Sequence, residues 1–296
     1  MIEKITARNF FSVMGGIPEF TALRYGKLRA QGAFAHPIIA GCWFAAAVPL
    51  IASLLKSASK KSSDRWMGVA GMMLCAVSAF ATASSTPVAA LLAGLAGLCI
   101  FPYRAYIRPS VKIGFVLAIV LHFVSTSGFH HLLYTRFTFV AGSTGYFRYR
   151  LADAAINQFG NWFLIGSNGT YNWGWGLDDC THEFILAGVK GGAIGLGLLI
   201  AILVVAYRRV RDLVGSPRPE VRWVGYCIGV SIFTHIVSFN GTSYFGQAFL
   251  IYYFTLGALQ TLAASEGVTS KVTHRGSRPL QSYGRPAAGR RRAQVT

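Results

Sequence analysis

The stretch 184–206, F-I-L-A-G-V-K-G-G-A-I-G-L-G-L-L-I-A-I-L-V-V-A, decides the fold. Its one charge is Lys190, and it exceeds the ~20 mostly apolar residues that carry a helix across a bilayer. Working outward, six more such runs lie at roughly 36–55, 66–84, 86–102, 112–128, 222–239 and 244–264. They predict an all-α integral membrane protein of about seven transmembrane helices, with one long outer loop, roughly 129–182, containing short helices. Composition agrees: 53% of the residues are hydrophobic and 13% charged, against about 25% charged in soluble domains. The mean hydropathy is +0.45. A soluble enzyme, a disordered chain and a fibrous protein are all disfavoured. Pro87 suits the first turn of the third helix, where no helical N–H bond is missing. Gly188, Gly191, Gly192, Gly195 and Gly197 suit close helix packing in lipid, or reflect only the frequency of Gly in membrane helices.

The net charge is +18, from 28 Lys+Arg against 10 Asp+Glu. Nineteen of those basic residues fall in segments 56–65, 103–112 and 207–222 and in the tail after 265. In a seven-helix topology these regions share one side, which the positive-inside rule makes the cytoplasm. The charge therefore reports topology, and no nucleic-acid partner is expected. The tail 265–296 is rich in Arg, Gly and Ser and reads as a basic disordered cytoplasmic segment, suited to anionic lipid heads. Residues 1–35 read as an extracytoplasmic segment entering the first helix, and 36–264 as the transmembrane domain. Lys4, Arg8, Arg24, Lys27 and Arg29 are unusual for an outer N-terminus without a signal peptide. Either 1–20 associates with the membrane, or, the preferred reading, further helices precede it in a longer protein. Five Cys are scattered singly, suggesting neither a disulfide framework nor a zinc site; Cys180 alone is expected to face solvent.

Lipid does not explain the residues of the outer loop. It holds His130, His131, Arg136, Arg148, Arg150, Asp153, Asp178, Asp179, His182 and Glu183, with Trp162, Trp173 and Trp175, half of the six Trp. The Trp residues read as an interfacial belt or as a platform for sugar rings. The Gly spacers of N-W-G-W-G (172–176) favour exposure of the rings. Segment 143–156 reads as a loop entering an amphipathic helix capped by Ser143 or Thr144. Arg148 and Arg150 near its start suit an anion, or a snorkelling role at the interface. His36 sits with Pro37 at the start of the first helix. His182, beside Asp178, Asp179 and Glu183, is either a general base of raised pKa or a helix cap. Lys190 is costly in lipid and should face a polar cavity. His122 and His235 read as packed, hydrogen-bonded histidines. No Walker A, HExxH, GxSxG or DxD-type motif is present, and Asp178-Asp179 alone is weak evidence for a metal. Asn168-Gly-Thr170 and Asn240-Gly-Thr242 match the glycosylation sequon.

Three segments in order carry a resemblance: R-A-Q-G-A-F-A-H-P-I-I-A-G (29–41), S-T-G-Y-F-R-Y-R-L-A-D-A-A-I-N-Q-F (143–159) with N-W-F-L-I-G-S-N-G after it, and D-D-C-T-H-E-F-I-L-A-G-V-K-G-G-A-I-G (178–195). Over roughly 24–260 the chain resembles the O-antigen ligase and polymerase-like superfamily of bacterial membrane proteins. The resemblance implies a C-type glycosyltransferase fold in the inner membrane, with the long loop periplasmic and the C-terminus cytoplasmic. It implies a metal-independent, inverting enzyme with no cofactor. Its partners would be an undecaprenyl-diphosphate-linked glycan, a saccharide or lipid acceptor, the lipid bilayer and polysaccharide assembly proteins. It places Arg29 and Arg148, or Arg150 in its stead, on the diphosphate, and His182 as the catalytic base. Trp162, Trp173 and Trp175 would hold sugars. Cations suit a diphosphate leaving group because they absorb its developing charge. Two departures stand out: family members are longer before the first motif, and Glu183 follows His182 where ligases tend to have a small amide or hydroxyl residue. Ligase and polymerase share this layout. The competing readings are a polysaccharide transporter or flippase component, with Lys190, His122 and His235 along a polar path, and a non-catalytic membrane scaffold.

Overall fold

The computed structural model describes residues 2–56, 62–124 and 145–267. It is mostly helical. The chain opens with a short helix α1 (Ile2–Thr6) and an antiparallel hairpin, β1 (Ala22–Arg24) with β2 (Lys27–Arg29). The hairpin turns at Tyr25-Gly26, where Gly26 has a φ of 72° that an L side chain would resist. This small sheet is a departure from the all-α expectation. Helices follow at each expected position: α2 (Pro37–Ala52), α3 (Ser62–Ala81), α4 (Ser85–Cys99), α5 (Ile107–Val124), α6 (Gly145–Asn157), α7 (Phe159–Trp162), α8 (Glu183–Val214), α9 (Pro219–Phe239) and α10 (Gln247–Ser265).

Among the described residues, four helical stretches are long and apolar enough to cross a membrane: Pro37–Lys56, Glu183–Val214, Pro219–Phe239 and Gln247–Ser265. Ser85–Cys99 and Pro109–Leu121 are shorter apolar helices. The number of spans established is therefore smaller than the seven expected. The helix α3 opens with Ser62, Ser63, Asp64 and Arg65, which dilute its apolar character.

Helix α2 lies at the centre, packed by α3, α4, α9 and α10. One core joins Ile39 of α2 to Leu203, Leu213, Ile232, Phe239 and Leu259 of α8–α10. A second joins Ala45, Ala46 and Ala47 of α2 to Ala79 of α3 and Leu91 of α4. Small residues let these backbones approach, as is usual for helices in lipid. A Cβ on Gly41 would stand 2.5 Å from Pro87, one on Gly97 2.8 Å from Val230, and one on Gly229 2.6 Å from Val210.

The glycines of α8 do something else. Gly192 adopts φ 60°, ψ −155° inside the helix and breaks it. Gly191 and Gly197 meet nothing within 4 Å, so this run is not a helix-packing stripe. Lys190 is exposed rather than turned into a polar cavity. The cysteine expectation also needs correcting. Cys180 is buried and Cys99 is exposed, because Cys180 packs with Leu151, Ala154 and Leu177 beneath the loop. The expected cap at Ser143 or Thr144, the loop residues His130, His131 and Arg136, the side chain of His122 and the tail from 268 onward lie outside the described residues.

Candidate functional site

Helices α2, α4, α8 and α10 start at the same end of the bundle, where α3 and α9 finish. Helix N-termini carry free N–H groups and partial positive charge, so this end favours an anion. The turn between α3 and α4, residues 82–84, lies there. Thr82 Oγ1 donates to the Ala79 carbonyl at 2.8 Å, and Ser84 Oγ donates to the Thr82 carbonyl at 3.1 Å.

Arg29, the last residue of β2, is buried and meets this turn. Its Nη2 donates to Ser84 Oγ at 2.6 Å, and the next residue's N–H, on Ala30, donates to the Ala81 carbonyl at 3.2 Å. The buried Nε of Arg29 has no hydrogen-bond partner among the described residues. Burial and then the charge of Arg24 press the pKa of Arg29 below its ordinary value. Both effects disfavour the cation, and a bound anion would relieve both.

Arg148 reaches the same place from α6. Its Nη2 donates to Thr86 Oγ1 at 2.8 Å and its Nε to the Gly241 carbonyl at 3.1 Å. Thr86 Oγ1 itself donates to Gly241 at 3.2 Å, joining the start of α4 to the α9–α10 turn. Arg150, two positions on, projects elsewhere on the helix, and its guanidinium lies near Gly174 in the Trp-containing loop. The structure thus separates the two arginines that the sequence left as alternatives.

His182 is the N-cap of α8 and is buried. Its Nδ1 accepts from the Ile185 N–H at 3.4 Å, which leaves the ring proton on Nε2, and its side chain also bonds Asn240. The expectation of a raised pKa is overturned. Asp178 and Asp179 are exposed, and the charge that His182 feels is Arg148. Burial, followed by that charge, lowers its pKa to about 4. Glu183 turns away to accept from the Tyr244 N–H at 2.6 Å. His36 is a second capping histidine: it closes the start of α2 by accepting from Ile38 N–H at 3.1 Å. Burial, Arg29 and Arg24 lower its pKa.

The tryptophans divide. Trp162 is buried; its Nε1 donates to the Ala155 carbonyl at 2.9 Å and its ring rests on Gly188. It is a packing residue with no open face for a sugar, and in this it departs from the expected platform. Trp173 is half-buried against the Leu151 cluster, and Trp175 is 91% exposed.

The polar partners that complete the site, Ser84, Thr86, Asn240 and Gly241, were missed in the sequence. Their signal was present: S-S-T-P and N-G-T are short polar turns between apolar runs, at the end opposite the basic loops. Among the described residues, no three His, Cys, Asp or Glu come together as a metal set. Comparisons of the chain with family models, curated proteins and solved structures return no match.

Proposed function

We propose that the site at this end of the bundle binds the diphosphate of a lipid-linked glycan and transfers the glycan to an acceptor hydroxyl. In this reading the protein is a membrane glycosyltransferase of the O-antigen ligase or polymerase kind. The site end faces the periplasm, the basic end faces the cytoplasm, and all seven helices count toward the transmembrane domain. The observation that carries the reading is the buried Nε of Arg29, which has no hydrogen-bond partner among the described residues and lies where Arg148 and several helix N-termini also arrive. An unpaired buried donor is costly, and a phosphate oxygen satisfies it while matching the guanidinium fork.

Arg29 and Arg148 hold the diphosphate. The acceptor oxygen attacks the anomeric carbon, the bond from that carbon to the diphosphate oxygen breaks, and the configuration inverts. The acceptor proton passes to His182. For that, His182 gives up the long bond from the Ile185 N–H, either to present Nδ1 itself or to carry its proton there and present Nε2 in place of the Asn240 contact. A pKa near 4 makes a weak base, and a diphosphate beside it raises that value by supplying negative charge. Trp175 is the exposed ring available to a sugar.

The test is reconstitution of the full chain in proteoliposomes with an undecaprenyl-diphosphate-linked glycan and a saccharide acceptor, read as a mass shift of the acceptor. Transfer that disappears in both Arg29→Ala and Arg148→Ala supports the reading. A folded protein that neither binds the lipid-linked glycan nor transfers it would leave a scaffold as the better description.

A further inference from the structure

The break in α8 is made by another part of the chain. In an unbroken helix the Ala193 N–H would donate to the Val189 carbonyl. Here Ala193 N–H donates instead to the Phe163 carbonyl at 2.5 Å, and the Val189 carbonyl accepts from Ser167 N–H at 2.7 Å. The segment 163–167 has entered the ladder and taken over both halves of one helical bond. An inserted group of this kind is a recognised cause of a sharp kink. Two glycines permit the entry. A Cβ on Gly166, at φ 86°, would stand 2.6 Å from the Val189 carbonyl. One on Gly192 would strike the Leu164 backbone.

The tip of this wedge is Leu164-Ile165, 74% and 90% exposed. Backbone bonds hold it at residues 189 and 193, one turn or more inside the apolar run 184–206 and beside its one charge, Lys190. On that helix Ile194 and Leu198 are 73% and 61% exposed, the outward face of a candidate membrane-crossing helix. Exposed Lys190 lies on the other side of the break, as a cation at the headgroup level would.

We infer that Leu164 and Ile165 insert into the bilayer at the boundary between headgroups and acyl chains, extending the lipid-facing surface of α8. The occupant of this apolar surface is lipid, because the wedge is bonded into the very helix that carries this exposed apolar face. The wedge also connects to the candidate site, since Trp162 at its base bonds Ala155 of the helix that carries Arg148. It therefore fixes the height of Arg148 relative to the membrane surface. This does not depend on what the site transfers.

The experiment is depth quenching of a fluorophore on the full chain in nanodiscs. Cys99, the exposed native thiol, is replaced (Cys99→Ser), and the buried ones stay. An environment-sensitive label is placed through Ile165→Cys, with Ile194→Cys as the lipid reference and Asp178→Cys as the aqueous one. The label at position 165 should be quenched about twofold more by lipids with a nitroxide high on the acyl chain than by aqueous iodide, in line with an insertion of ~5–10 Å. Quenching by iodide alone, as at position 178, overturns the inference. Quenching by neither agent means that protein covers the tip, and overturns it too.

Discussion

Arg148 and Thr86 form one side of a closed polar triangle. Arg148 Nη2 donates to Thr86 Oγ1, and both residues donate to the Gly241 carbonyl. The triangle ties α6, α4 and the α9–α10 turn together at one point. A lysine has a single ammonium and cannot reach both acceptors in the fork geometry of the guanidinium. Arg148→Lys should therefore lower glycan transfer by about 10²–10³-fold, the usual loss when one charge-stabilising donor is removed. Arg150→Lys should change it little, because Arg150 points toward Gly174. Equal losses in the two variants, assayed in parallel, would refute the assignment of Arg148 over Arg150.

His182 has two separable roles. As N-cap it satisfies the Ile185 N–H, and as an imidazole it can take up a proton. Asparagine caps well and is no base, whereas alanine does neither. His182→Asn should keep the melting temperature near that of the parent while abolishing transfer; His182→Ala should lower both, the cap loss costing about 1 kcal/mol. Full transfer by His182→Asn would reduce His182 to a cap.

The same residue makes stability depend on pH. The ordinary imidazole value is 6.5, and in the fold it is about 4. Above 6.5 the ring is neutral in both states and nothing is lost. As pH falls from 6.5 toward 4, the unfolded chain takes up the proton first and stability is lost, by about 2 kcal/mol at pH 5. Melting curves in one detergent at pH 7.5 and 5.0 should show a larger drop for the parent than for His182→Asn. Identical drops would place His182 in contact with water.

Much of the helix layout was legible because apolar runs interrupted by polar turns are a strong one-dimensional signal. His36-Pro37 and Thr181-His182 mark the starts of α2 and α8 by ordinary capping chemistry. The break at Gly192 was not legible. Nothing in G-V-K-G-G-A-I-G distinguishes a packing stripe from a gap held open by a segment earlier in the chain. The neighbours of His182 were misjudged for a similar reason. Proximity in sequence favoured Asp178 and Asp179, whereas Arg148 is brought in by α6 and a hydrogen bond to Thr86. Which of Arg148 and Arg150 meets Thr86 and Gly241 could not be read until the rotation of α6 was known.

The triangle also depends on a hydrogen atom at position 241. A Cβ on Gly241 would lie 2.5 Å from both Thr86 Oγ1 and its methyl carbon, and neither can retreat without breaking the bond to Arg148. Gly241→Ala should lower stability by about 1–3 kcal/mol, as overpacking does, and should reduce transfer along with it. Gly197→Ala is the control, since nothing lies within 4 Å of its Cβ. A Gly241→Ala protein with parental melting and activity would show that the turn yields without cost.

Arg29 is held in place by a residue far from it in sequence. The Glu3 carboxylate is buried and accepts from the N–H groups of Gln31 and Gly32, at 2.9–3.1 Å, and from Thr21 Oγ1 at 3.1 Å. It thereby fixes the segment that follows Arg29 on its way into α2. Glu3→Ala takes the acceptor from the buried Gln31 N–H and the part-buried Gly32 N–H, at a cost of about 1–3 kcal/mol for a group that water cannot reach. Glu3→Gln keeps one carbonyl acceptor and should cost less. Limited trypsin digestion reads the local effect: Lys27 is exposed and Arg29 is buried. The parent should be cut after Lys27 and spared after Arg29, whereas Glu3→Ala should gain a cut after Arg29, seen as a new peptide end by mass spectrometry. Unchanged cleavage with unchanged melting would mean that the hairpin and Ser84 hold Arg29 without Glu3. A new cut accompanied by lost transfer would make Glu3 a positioning residue for the anion site, acting through the backbone of residues 30–32.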